Sequence, residues 1–182
     1  GYTLTTSSNN ILIGDAAGEV IASGQTTTDG TIAIGKSALG ALTTGQKNIA
    51  IGYSALLQHT TGHRNIAIGY EAMNGSGDAQ TVSSTDNIFI GTDAGGGTWT
   101  GSAEINFNVG IGNYVMDAAM NDANLNTAVG YQALSALTSG DGNACLGKDA
   151  GLLITEGIKN SCFGYEAGNA ITTGNNNTCI GY

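Results

Sequence analysis

The chain has 182 residues, of which 30 are glycine and none proline, and only 10% of its side chains are charged. An ordinary globular domain charges about a quarter of its residues, and Leu, Ile, Val and Phe make up only about a fifth of this chain, so a single thick hydrophobic core is excluded. A net charge of −9 with five Lys and Arg excludes a phosphate-gripping nucleic-acid surface. No apolar run approaches the roughly 18 residues of a membrane helix, and no leader pattern stands at the start.

In chain order, the first patterned phrase is Asn10-Ile11-Leu12-Ile13-Gly14, and it returns throughout. Its glycine recurs at Gly35, Gly52, Gly69, Gly91, Gly112, Gly130, Gly147, Gly164 and Gly181, at intervals of 17 to 22 residues. Four residues before each stands Asn10, Asn48, Asn65, Asn87, Asn108, Asn126, Asn143, Asn160 or Asn177, with Thr31 the one exception. Ala follows the glycine by three residues in nearly every unit, and a second glycine follows it by about ten. Position-locked residues at a fixed short period are the mark of a solenoid.

Within a unit, N-I-A-I-G reads as a short β-strand of branched residues, ended by a glycine that takes a corner. The following Y-x-A-L reads as a second short extended piece, and T-T-G as a turn. The expectation is therefore an all-β parallel solenoid, a β-roll of about ten coils with a period near 17 residues. Coils stack roughly 4.8 Å apart, so the asparagines lie over one another as an amide ladder. Residues 1–182 form one repeat domain, with inserted loops over 70–112 and regular coils over 126–182. The pattern is already running at residue 1 and still running at Cys179-Ile180-Gly181-Tyr182, which reads as a piece of a longer fibre.

Successive strand residues face opposite sides, yet Ile49-Ala50-Ile51 and Ile66-Ala67-Ile68 are apolar throughout. A wall apolar on both faces has to be covered on both. The economical cover is the same wall of a neighbouring chain, hence a homo-oligomer.

Sites of chemistry are sparse. Cys145, Cys162 and Cys179 occupy one column where other units carry Ala, and read as small buried apolar groups rather than disulfides or metal ligands. His59 and His63 flank a turn and read as solvent-exposed. Asp141-Gly142-Asn143 lacks the remaining ligands of a calcium loop. Glu71, Asp93, Asp149 and Glu166 read as a solvated outer surface, and nothing nominates a catalytic residue, a metal or a cofactor. Stacked Thr pairs such as Thr43-Thr44, Thr60-Thr61 and Thr172-Thr173 offer an alternative, surface-lattice (ice-like) binding. The inserted loops are the favoured place for recognition. Trp99, the only tryptophan, would stack on a sugar ring, with Asp78, Asp86 and Glu104 accepting hydroxyls.

The phrases NIAIGYSAL at 48–56 and NTAVGYQAL at 126–134, each followed by a T-T-G or T-S-G turn, resemble repeats of phage tail fibres and bacterial fibre proteins. They are similar, more distantly, to the head repeats of trimeric autotransporter adhesins, although the unit here is longer than a typical adhesin-head coil. The resemblance implies a left-handed β-roll in a homotrimer at the cell exterior or virion surface. It further implies host recognition through a surface glycan or another receptor, with no enzymatic activity, no nucleic acid and no membrane insertion. The competing expectation is a purely structural extracellular filament unit without a receptor.

Overall fold

Each apolar triplet after the column asparagine becomes a three-residue strand. The computed structural model describes residues 8–22, 28–75, 83–97 and 104–182. Its strands are β1 (Ile11–Ile13), β2 (Ile32–Ile34), β3 (Ile49–Ile51), β4 (Ile66–Ile68) and β5 (Ile88–Ile90). They continue as β6 (Val109–Ile111), β7 (Thr127–Val129), β8 (Ala144–Leu146), β9 (Ser161–Phe163) and β10 (Thr178–Ile180). One helical turn, α1 (Glu19–Ala22), follows β1. All ten strands form one parallel sheet in chain order. Such neighbours normally need a helical crossover; here the chain instead winds once around a thin core, giving a β-solenoid with a period near 17 residues. The longer intervals leave the register intact, since Ile66 still lies over Ile88 and Ile68 over Ile90.

The asparagine column supplies the buried polar order. Asn126 Oδ1 accepts from the backbone N–H of Asn143 at 2.9 Å and from its Nδ2 at 3.0 Å. Asn126 Nδ2 donates down the stack to Asn108 Oδ1 at 3.2 Å and across the coil to the Gly140 carbonyl at 2.9 Å. The same pattern links Asn48 to Asn65, Asn65 to Asn87, and onward to Asn177. Asn48 through Asn160 are fully enclosed, and such groups persist in a core only when their bonding is met. At Thr31 the column breaks: its hydroxyl is buried without a partner.

The Y-x-A-L segment is not the second extended piece expected from sequence; it is a run of turns. Ser54 and Leu56 have φ of 52° and 53°, and Glu71 and Met73 repeat them at 52° and 53°. Alternating the hand of the backbone aims successive N–H groups up and down the stack. Ser54 N–H donates to the Lys36 carbonyl of the coil before at 2.9 Å, and Leu56 N–H to the Ala72 carbonyl of the coil after at 3.0 Å. A left-handed conformation costs about 1–2 kcal/mol per ordinary residue, and these intercoil bonds hold it in place. The strand-ending glycine is required on steric grounds as well: a Cβ on Gly52, at φ 140°, would lie 2.1 Å from the Gly69 carbonyl oxygen.

Core volume is conserved coil by coil between two facing positions. Where the middle strand residue is Ala33, Ala50, Ala67 or Ala128, the inward residue six places on is Leu39, Leu56, Met73 or Leu134, all buried. Where it is larger, as in Leu12, Phe89, Cys145 and Cys162, that partner is Gly18, Gly95, Gly151 or Gly168. A Cβ at Gly151 would meet Cys145 Sγ at 2.7 Å, and one at Gly95 would meet the Phe89 ring at 2.9 Å. Between these two facing positions each coil holds at most one bulky side chain, while a separate core column carries Leu42, Met120, Leu137 and Ile154.

Candidate functional site

With alternate residues turned outward, the sheet presents two columns of side chains to solvent. The inward column is Leu, Ala, Phe, Gly or Cys, while the outer residue nearest the glycine is apolar in every coil, from Ile13 through Ile180. Ile13 is 57% exposed, Leu146 49% and Ile180 79%. The other outer column is apolar from Ile11 through Val109 and then polar at Thr127, Ser161 and Thr178. Monomeric proteins seldom leave a continuous apolar surface of this length open.

Aromatic and charged columns border this strip. On the glycine side Tyr53 and Tyr70 stack at 5.2 Å with planes 9° apart, as do Tyr165 and Tyr182 at 5.4 Å and 2°. Lys148 Nζ sits 4.8 Å over the Tyr165 ring and is paired with Asp149. Tyr70, hydrogen-bonded to Glu71, has its hydroxyl pKa raised. Asp93 is also raised, first by burial and then by the carboxylates of Glu71 and Asp117. On the strand-entry side lie Lys47, Arg64, Asp86, Phe107, Leu125 and Lys159, one per coil, with Phe107 and Leu125 exposed.

Immediately before that margin runs a second ladder that the sequence reading missed. Asn106 Oδ1 accepts from Thr85 N–H at 2.8 Å, Asn124 Oδ1 from Asn106 N–H at 2.8 Å, and Asp141 Oδ1 from Asn124 N–H at 2.7 Å. His63 Nδ1 does the same for Gln46 N–H at 3.2 Å. It runs opposite to the buried ladder, each side chain reaching back to the preceding coil. Because Asn, Asp and His all serve there, no single letter marks the column; its signal is a polar residue six places before the strand-ending glycine, broken only at Ile158.

The remaining sequence expectations are placed as follows. His59 is not an exposed turn residue: it is 1% exposed, in the core column of Leu42, Leu137 and Ile154. Burial alone drives its pKa down from 6.5 to about 3, so it is neutral at ordinary pH. Asp149 likewise differs from the solvated reading, for it is buried beside Lys148. Cys145 and Cys162 are buried, all three thiols are free, and burial pushes the Cys145 and Cys162 pKa values up. The Thr43, Thr138 and Thr155 hydroxyls donate to carbonyls of the following coil. Of the loop residues, Asp86 is held by Arg64 through two bonds of 2.6 and 2.7 Å, which lowers its pKa. Glu104 accepts from the Ser83 hydroxyl. No described contact joins Asp86 to Glu104, and Trp99 and Asp78 lie outside the described residues. No helix among the described residues is long and apolar enough to cross a membrane.

A repetitive scaffold of ten parallel strands in chain order, with an enclosed polar spine and an outward apolar face, is a β-solenoid. Comparison with family models, with curated proteins and with solved structures gives no match.

Proposed function

We propose that this protein is a structural and adhesive segment of an extracellular or virion-surface fibre, a left-handed β-roll that works as a homotrimer and catalyses nothing. The observation that carries the reading is the outer sheet face, apolar at its glycine-side column from Ile13 to Ile180. In a fibre of parallel copies that face is covered; in a monomer it would stand in water along the whole stack. The repeat phrases that resemble tail-fibre and adhesin-head sequences agree with this.

Recognition of a cell-surface glycan or other receptor is assigned to the inserted loops over 70–112, with Trp99 as the stacking residue and Asp78, Asp86 and Glu104 as candidate hydroxyl acceptors. Threefold repetition would turn weak single contacts into avidity on a repeating surface. Asp86 is a poorer hydroxyl acceptor than Glu104, because Arg64 already occupies both its oxygens. Surface-lattice binding by threonine is disfavoured, since hydroxyls of that column are spent on intercoil bonds. A receptor-free filament unit is the second reading, favoured by the uniform 17-residue spacing from Gly130 to Gly181. Trp99→Ala separates the two: loss of cell or glycan binding with unchanged melting supports recognition. Lowered stability without a binding phenotype makes the segment a shaft.

A further inference from the structure

The two margins of the apolar strip are chemically different, and they complement each other at the heights of β3, β4, β7 and β9. The strand-entry margin carries Lys47, Arg64, Leu125 and Lys159. At the same heights the glycine-side margin carries Tyr53, then Tyr70 with Glu71, then Tyr131, then Tyr165 with Glu166. Every cation on one edge thus lies level with a tyrosine or a tyrosine–glutamate pair on the other, and the exposed Leu125 lies level with an exposed tyrosine. Within one chain these groups stand on opposite edges of the strand. The ion pairs among the described residues are Lys36–Asp15, Arg64–Asp86 and Lys148–Asp149, so Lys47 and Lys159 find no carboxylate of their own.

We infer that a second copy of this chain docks on the outer sheet face, parallel and in coil register, with the Lys47–Arg64–Lys159 margin of one copy against the tyrosine–glutamate margin of the next. The inference rests on the oligomeric fibre reading above and deepens it. Rotation about an axis that runs parallel to the stack in front of the outer sheet face brings the entry margin of one copy to the glycine-side margin of its neighbour without changing height. The margin pairs then become intermolecular: Lys47 over Tyr53, Arg64 at Tyr70 and Glu71, Lys159 at Tyr165 and Glu166. Cations over tyrosine faces and carboxylates at contact distance favour this arrangement. A shift by one coil would set Arg64 level with Asp93, and Lys159 level with Lys148 or with Tyr182. Asp86 and Asp93, level like charges in register, are tempered by the Arg64 clamp on Asp86.

The surface is large enough. Ten coils at about 4.8 Å give roughly 45 Å, and six residues across at about 3.3 Å give roughly 20 Å. The product, about 900 Å², matches the roughly 800 Å² per partner of a standard stable interface.

The test combines sedimentation equilibrium of the wild-type protein, Lys159→Glu, Glu166→Lys and the double variant with zero-length carbodiimide cross-linking of a mixture of isotope-labelled and unlabelled chains. Each single variant is expected to raise the dissociation constant about fivefold while circular dichroism stays unchanged, and the double variant to return near wild type. The cross-linked sample is expected to yield an interchain peptide joining Lys159 to Glu166. A wild-type protein that stays monomeric overturns both this inference and the fibre reading. A stable oligomer that ignores the charge reversals, or that cross-links Lys159 to a carboxylate at another height, overturns the register and margin pairing alone.

Discussion

Replacing Asn126 with Ala is the sharpest probe of the internal spine. Its oxygen accepts from Asn143 N–H and its amide donates to the Gly140 carbonyl, both at 2.9 Å, and these two backbone groups are left buried without a partner. Asn143 Nδ2 keeps Gly157, and Asn108 Oδ1 keeps the Asn126 backbone N–H, so neither becomes a full orphan. Each stranded group costs about 1–3 kcal/mol, so the substitution should cost about 4 kcal/mol, a large share of the roughly 5–15 kcal/mol by which small proteins are stable. Asn177→Ala is the internal control. Among the described residues Asn177 Oδ1 accepts nothing, and removing its amide deletes one donation to Asn160 without stranding a backbone group. Chemical denaturation read by far-ultraviolet circular dichroism gives both values. A loss below about 1 kcal/mol at Asn126, or equal losses at the two sites, would refute the argument that the column works by satisfying backbone groups.

Thr31→Asn should restore the broken ladder and gain about 1 kcal/mol in the same assay, because the buried Thr31 hydroxyl now has no partner; no gain would mean the gap is already relaxed. Gly151→Leu alone should be strongly destabilising, since its Cβ would sit 2.7 Å from Cys145 Sγ, and Cys145→Ala alone should cost about 1 kcal/mol. The double variant should recover most of the loss by reproducing the Ala128/Leu134 pairing; simple additivity would refute the coil-by-coil volume rule. His59 titrates at about 3 in the fold and near 6.5 when exposed. The unfolded chain therefore binds the proton first, and stability is complete above pH 6.5 and lost as pH falls toward 3. At pH 5 the loss is about 2 kcal/mol, and His59→Leu should remove it; equal pH dependence in both proteins would show that His59 is not kept neutral.

The repeat was legible because a coil can be stacked only if the same position solves the same problem each time. Gly52 cannot carry a side chain and Asn48 has to meet fixed backbone partners, so both letters recur. The Y-x-A-L turns were read as extended because Ser54, Glu71, Leu56 and Met73 do not announce a left-handed backbone. The available clue was glycine alternating with leucine in one column, at Gly18, Gly95, Gly151 and Gly168. His59 was misread because it was judged as a histidine near a turn, rather than as the occupant of the column holding Leu42 and Ile154. The reverse ladder through Asn106, Asn124 and Asp141 escaped because hydrogen-bond acceptance, unlike glycine sterics, is met by several residue types. The apolar outer face was legible from two-sided strands alone, but the pairing of its margins depends on the fold, which sets Lys159 before β9 and Glu166 after it, at one height on opposite edges.

The most direct measurement of the central claim is the mass of the native protein in solution, by multi-angle light scattering at low micromolar concentration and physiological salt. A fibre covered through its outer sheet face should give a single species of three protomers of 18.2 kDa, held through the Ile13-to-Ile180 face and dispersed by Ile68→Arg without loss of β-structure. A folded wild-type species of 18.2 kDa, stable across the concentration range, would contradict it.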